Sequence, residues 1–284
     1  MYYDTHNHSQ FSFDGARTTL EKSTASAISK GLGGICFTDH CDFYVPEMKA
    51  DFEPIVCEVF DVAAQQQEID SLNARIAGGE FGREAARKFK VLKGIEVGME
   101  EKSRPELEKH LAENCFDQIT ASVHYLEDSD PYYGPYYKGK NWKEAYGRYL
   151  EAYLREMKWL GDRFDIMGHF DYITRYAPYP KESILYRDFP GLFDEILRFL
   201  AENGKAIEIN TSTLRQGLGM TMPSLEYVKW FKELGGEYVT IGSDAHWAKD
   251  IGTDLDIGMD MVKEAGFEYF AVFRRREPKL LKIL

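Results

Sequence analysis

Cysteine is scarce and unpaired in this chain. The four residues, Cys36, Cys41, Cys57 and Cys115, form no Cys-x-x-Cys unit and no regular framework of spacings. That excludes a disulfide-stapled scaffold and a thiolate metal site, and it fits a reducing compartment. Long hydrophobic runs are missing too: none approaches the ~20 apolar residues a membrane helix requires, and no basic and apolar leader precedes the first candidate strand. A soluble, cytoplasmic protein is expected. Positive charge is in deficit, with 35 Lys and Arg against 47 Asp and Glu, a formal net charge of −12. Such a balance repels anionic membranes and long nucleic acids, and no strip of interleaved basic and aromatic residues offsets it. A small phosphorylated ligand stays compatible, because bound cations and a few arginines invert the field locally. Finally, no Pro/Gly/Ser-rich linker, composition break or internal repeat divides the 284 residues, so 1–284 is expected to form one domain.

What is present is alternation. Short β-like runs fall at about 2–6, 34–38, 90–97, 118–122, 166–169, 206–210 and 238–243, with helical periodicity over about 18–31, 53–77, 103–115, 141–163, 189–203, 223–235 and 254–265. Gly31, Gly204 and Gly235 read as helix stops, and Pro54, Pro105 and Pro223 as helix starts. Strand followed by helix, seven times over, predicts a parallel barrel-like α/β sheet with the helices outside. Two excursions stand out, 41–90 and the tyrosine-rich segment 130–137, and loops that follow strands form the active face of such barrels. Both are expected near the site.

Six of the seven histidines sit at or just beyond a predicted strand end: His6, His8, His40, His124, His169 and His246. His110, inside a helical pattern, reads as a solvated surface residue. Alternate residues of a strand share a face, so His6 and His8 point together, as do Asp244 and His246. Glu96 and Asp244 also follow apolar runs, where a carboxylate has little other reason to be, and Asp14 lies in the loop after the first strand. Imidazole with carboxylate and without thiolate suits Zn, Mn or Fe. The expectation is metal-assisted hydrolysis at the mouth of a barrel. Cys36 and Cys41, which flank His40, lack a thiol partner and read as packing residues.

The ordered pattern His6-x-His8, Asp14-Gly15, Thr38-Asp39-His40, Gly94-Ile95-Glu96, Ser122-Val123-His124, Gly168-His169 and Ser243-Asp244-Ala245-His246 resembles the polymerase-and-histidinol-phosphatase (PHP) family of metal-dependent phosphoesterases. Within it, Asp39-His40-Cys41-Asp42, the run 94–98, Asp-Pro-Tyr-Tyr after His124, the run 168–172 followed by Arg175, and the run 210–215 ending at Arg215 are most similar to the stand-alone histidinol-phosphate phosphatases. The resemblance implies a distorted seven-stranded (β/α)7 TIM-like barrel holding two to three divalent ions. One ion would take His6, His8, Glu96 and Asp244; a second would share Glu96 and take His124 and His169; a third would take Asp14, His40 and His246. The implied substrate is a small phosphate monoester, L-histidinol phosphate.

For such a reaction, paired metals lower the pKa of water and neutralise phosphoryl oxygens. Arg175 and Arg215 are the expected phosphate clamps, since a guanidinium matches phosphate oxygens with two parallel bonds; a surface ion pair is the alternative for each. Asp244 or His246 would relay protons. Asp42 has two readings, contact with a substrate ammonium or orientation of a ligand histidine. Arg17 is either a phosphate contact or a solvated residue, and one or two of Tyr132, Tyr133, Tyr136 and Tyr137 would line an imidazole pocket. The competing readings are a PHP phosphoesterase acting on a nucleotide or sugar phosphate, an amidohydrolase-type metal hydrolase, and a noncatalytic metal-binding module.

Overall fold

The computed structural model describes residues 2–15, 17–43, 58–180 and 184–283. A parallel path of strands runs β1 (Tyr3–Asp4), β2 (Gly34–Phe37), β5 (Lys90–Gly98), β6 (Gln118–Ser122), β7 (Ile166–Met167), β8 (Ala206–Asn210) and β9 (Tyr238–Gly242). β3 (His40–Asp42) pairs with β5 and with the short antiparallel β4 (Glu58–Val59). The Phe37↔Lys93 and His40↔Glu96 pairs keep one register, so β2 and β3 form one strand interrupted at 38–39. At the interruption Thr38 turns its N–H to the Asn7 carbonyl at 2.8 Å, which draws the first strand's end and the His40 segment together.

The seam between the first and last strands of the path is closed by other bonds. Thr5 N–H donates to Ile241 O at 3.1 Å, Asp244 N–H to His6 O at 2.9 Å and His8 N–H to Ala245 O at 3.0 Å. The sheet thus curls nearly into a barrel, and it places His6, His8, Asp244 and His246 at one rim. Gly242 permits this approach: a Cβ there would stand 2.4 Å from Cβ of His6. Inside the barrel, Gln118 on β6 reaches across to donate to Thr5 O at 2.7 Å.

The helices pack outside as the periodicity predicts: α1 (Leu20–Ser29), α2 (Val62–Ala77), α4 (Arg104–Glu113), α5 (Trp142–Leu160), α6 (Pro190–Glu202), α8 (Leu225–Glu233) and α9 (Leu255–Glu264), with short α3 (Arg83–Lys88) and α7 (Ser212–Arg215) added. Asn141 and Glu144 cap α5 reciprocally, each side chain accepting from the other's backbone N–H at 3.0 and 3.1 Å. Ile69, Leu72 and Ile76 of α2 bury against Ile35 and Phe37 of β2 together with Leu20 of α1, so the described part of the excursion, 58–90, is largely a crossover helix packed on the sheet. Residues 44–57, including Cys57, Pro54 and the start of the expected helix 53–77, lie outside the described residues. That helix begins at Val62, where Asp61 accepts from Ala64 N–H at 2.9 Å, and residues 58–59 are strand.

A C-terminal hairpin, β10 (Tyr269–Arg274) and β11 (Glu277–Lys282), was not expected. Its turn docks by the N-terminal ends of the strands: Arg275 and Arg276 give their N–H groups to Asp117, and the Arg276 guanidinium meets Asp165 at 3.0 Å. It closes the end of the barrel opposite the histidines.

Candidate metal centre

All nine expected ligands converge at the C-terminal mouth of the sheet. Glu96, fully buried in the middle of β5, is the hub: Oε2 lies 3.3 Å from His6 Nε2, 3.6 Å from His8 Nε2 and 3.1 Å from His40 Nδ1, while Oε1 lies 3.3 Å from His124 Nε2 and 2.9 Å from His169 Nε2. His8 Nε2 is 3.3 Å from both His6 Nε2 and Asp244 Oδ1. Asp14 Oδ2 stands 2.7 Å from His246 Nε2 and 3.5 Å from His40 Nε2. Three groups of atoms have ligand spacing: His6, His8 and Glu96; His40, Glu96 and His124; His8, Asp14, His40 and His246. The partition differs from the one implied by resemblance, because His8 and His40 each belong to two groups. Crowding at the shared rim, where the ring of His8 stacks on both His40 and His246 with centroids 4.2 Å apart, is the physical reason.

The rings are aimed by partners outside the cage. Glu208 accepts from His6 Nδ1 at 2.6 Å, Ser12 Oγ is 3.0 Å from His8 Nδ1, and Asp42 carboxylate oxygens lie 3.1 and 3.3 Å from His124 Nδ1. In each case the Nε2 atom is left facing the cage, the arrangement by which carboxylates fix the tautomer of a metal-binding imidazole. Asp42 therefore has the orienting geometry, and Gly98 makes room for it: a Cβ at residue 98 would overlap Asp42 Oδ1 at 1.8 Å. Asp39 holds the loop between the ligands, accepting from Ser9 N–H at 2.6 Å, Ser9 Oγ at 2.7 Å and Gln65 Nε2 of α2 at 2.6 Å.

Glu208, Ser12 and Gln65 escaped the sequence reading, and Asp39 entered it only as part of a motif. Glu208 left a signal, an acid inside the apolar run 206–210 with no place on a dry face. It also accepts from the His169 backbone N–H at 2.8 Å.

Electrostatics point to absent positive charge. Burial alone would lower the pKa of His6 and His40, but carboxylates override it and hold both well above the ordinary imidazole value: Glu208 and Glu96 for His6, Asp14 and Glu96 for His40. His124 is pushed up to about 10 against burial by Asp42 and Glu96. His8 is the exception, lowered to about 3 by burial and by the neighbouring His246 and His40. Against burial, Glu96 is drawn well below the usual carboxylate range by His6, His124 and His40. Among buried atoms without a hydrogen-bond partner are Asp14 Oδ1, His40 Nδ1 and Glu96 Oε2, all in the cage. Orphaned lone pairs on a nitrogen and oxygen donor set fit divalent cations of the Zn, Mn or Fe type.

Asp244 adopts a left-handed backbone, φ 51°, a strained conformation that the surroundings must hold in place. Arg215 does so. Its guanidinium donates to the carbonyl of Ser243 and, at 2.6 Å, to that of Asp244. Two arms of the expected phosphate clamp are thus spent on the backbone that presents Asp244. Arg175 remains turned to the cavity, its Nε donating to Gln216 Oε1 at 2.7 Å and one terminal nitrogen 3.9 Å from Asp244 Oδ2. Arg17 lies over the Trp247 ring at 5.1 Å and lines the same opening.

The cavity above the cage has two lobes. One, of about 410 Å³, is lined by His40, His124, Asp130, Tyr132, Tyr172 and Tyr176 among others; the second reaches Arg215, Trp247 and Asp250. Asp14, Arg17, Arg175, Asp244 and His246 border both. Of the expected tyrosines, Tyr132 lines the cavity. Tyr136 and Tyr137 are buried, their hydroxyls donating to Ala145 O and Ile173 O, which makes them packing residues; the Tyr133 side chain lies outside the description. His110 is not a solvated surface residue: it packs between Phe43 and Phe116, with centroids 5.4 and 6.5 Å away.

The chain is similar to several known proteins. A histidinol-phosphatase of Lactococcus lactis is 35% identical over 95% of this chain and 93% of its own, and a Clostridium acetobutylicum relative is 31% identical over 94% and 95%. The crystal structure of the histidinol phosphate phosphatase of Lactococcus lactis, complexed with zinc, L-histidinol and phosphate, superposes with a TM-score of 0.83 at 33% identity, covering 98% of each chain. The family model of the PHP domain matches residues 4–212, and the chain belongs to the PHP family.

Proposed function

We propose that this protein is a metal-dependent phosphomonoesterase that hydrolyses L-histidinol phosphate to L-histidinol and phosphate. The observation that carries the reading is the convergence of His6, His8, Asp14, His40, Glu96, His124, His169, Asp244 and His246 on one buried cage beneath a cavity bordered by Arg17 and Arg175. The likeness to relatives that carry this name across nearly their full length, one of them solved with zinc, L-histidinol and phosphate, supports the substrate.

The nine residues would hold two to three divalent ions, with Glu96 shared between groups. Bound there, the ions would supply Lewis acidity toward phosphoryl oxygens and a nucleophilic water at neutral pH. The protein's own share is positional. Arg175, fixed by Gln216, and Arg17 present guanidinium groups to the phosphate, neutralising charge and setting its orientation. Glu208, Ser12 and Asp42 hold three imidazoles with their Nε2 atoms inward, so no reorganisation is needed during the reaction. Asp244 and His246, at the cavity wall, are the groups through which a proton would reach the departing alkoxide.

The test joins elemental analysis of protein purified without added metal to phosphate release from a panel of monoesters. At least two ions per chain are expected, with kcat/KM for L-histidinol phosphate at least about tenfold above that for nucleotides and sugar phosphates. Active protein with less than one ion, or a preference for a nucleotide, would overturn the reading.

A further inference from the structure

Asp130 is a carboxylate at the wall of the catalytic cavity whose nearest positive group is the His124 imidazole. It lies in the loop after β6, its Oδ1 accepts from the Tyr132 backbone N–H at 2.7 Å, and among the described residues no lysine or arginine forms an ion pair with it. Around it stands an aromatic wall. Tyr132 and Tyr176 meet edge to face with centroids 4.3 Å apart, Tyr172 and Tyr176 at 5.8 Å, and Tyr172 abuts the ring of His124 at 6.2 Å.

A half-buried acid with no lysine or arginine paired to it is costly to keep charged unless something positive visits it. Aromatic faces beside a carboxylate are the chemistry that receives an organic cation, through the ring quadrupole and a charge-assisted hydrogen bond. The neighbouring acid, Asp42, is already engaged with the imidazole of His124. The second lobe of the cavity, which carries Arg215, does not include Asp130.

We propose that Asp130 determines specificity by receiving the ammonium or imidazolium group of the leaving alcohol, seated among Tyr132, Tyr172 and Tyr176. This deepens, and rests on, the phosphomonoesterase reading above. A zwitterionic monoester then docks in one orientation, its phosphate on the cage and arginines and its cation on Asp130. Burial pushes the free Asp130 carboxyl up to about 6, a penalty that a bound cation relieves.

The experiment compares wild type, Asp130→Asn and Asp130→Glu on L-histidinol phosphate, ethanolamine phosphate and p-nitrophenyl phosphate. It adds calorimetric titration of the metal-loaded proteins with L-histidinol and a count of bound metal. Asp130→Asn should lose roughly 10- to 100-fold more kcat/KM on the cationic esters than on the aryl ester, mainly through KM, and should bind L-histidinol correspondingly more weakly. Asp130→Glu should recover part of both, and metal content should match wild type.

Equal losses on all three esters, or unchanged L-histidinol binding, would overturn the assignment. If wild type prefers ethanolamine phosphate to L-histidinol phosphate, the substrate named above is wrong, yet a selective loss in Asp130→Asn still upholds Asp130.

Discussion

Glu208 on β8 and His6 just past β1 share a 2.6 Å hydrogen bond that reaches across β9 and fixes which nitrogen of His6 faces the cage. The bond is fully buried, so nothing in solvent can replace it. Glu208→Gln should weaken metal affinity by about 10- to 100-fold, since an amide is a poorer acceptor and can present its NH2 to the ring. Competition with a chelator of known affinity, followed by atomic absorption, measures the change; wild-type affinity would remove Glu208 from the role.

Glu96 touches five histidines, so its replacement disturbs more than one group of donors. Glu96→Gln should reduce metal content more than Glu208→Gln does and abolish phosphatase activity at ambient metal. A variant that retains both would show Glu96 to be an orienting residue only.

The two arginines should separate in a way that sequence did not suggest. Arg175→Met should lower kcat/KM for phosphate monoesters by about one to two orders of magnitude with metal content preserved, as expected for lost charge-assisted bonds to substrate. Arg215→Met should lower metal content along with activity, because the left-handed backbone of Asp244 loses its brace. Metal counts on the two purified variants decide it, and equal counts would return Arg215 to the phosphate.

Metal capture should release protons. Without metal, carboxylates hold His6, His40 and His124 well above the ordinary imidazole pKa, so these rings carry protons at neutral pH that a cation must displace. Affinity should therefore rise with pH through the neutral range and fall on acidification. Zinc titrations in buffers of different ionisation enthalpy should report proton release; a buffer-independent heat would show that the rings are already neutral.

Much of this was legible because a strand repeats every two residues and a ligand at its end has few other uses. The run 206–210, bounded by Gly204, matches β8 residue for residue. His6, His8, Asp244 and His246 do meet at the rim, but past the ends of β1 and β9, where left-handed Asp244 breaks the strand period. Other parts depend on partners distant in sequence. Regular pairing in β1 stops at Asp4 because the next residues give their hydrogen bonds to 241–245, across the seam. The C-terminal hairpin turns through Arg275 and Arg276, both left-handed at φ 52° and 63°, where Asn-Gly would have announced a turn. Arg215 could be placed near the site, but the direction of a long side chain on a four-residue helix is decided by packing.

The seam also sets a schedule for biogenesis. Thr5 and Ile241 bond although they stand 236 positions apart, and the rim they build joins His6 and His8 to Asp244 and His246. A nascent chain leaving the ribosome therefore displays its first imidazoles long before their last carboxylate partner exists. Pairings so remote in sequence form late. A cation that binds only the closed cage stabilises only the finished polypeptide, by mass action, so loading doubles as a check that synthesis ran to its end.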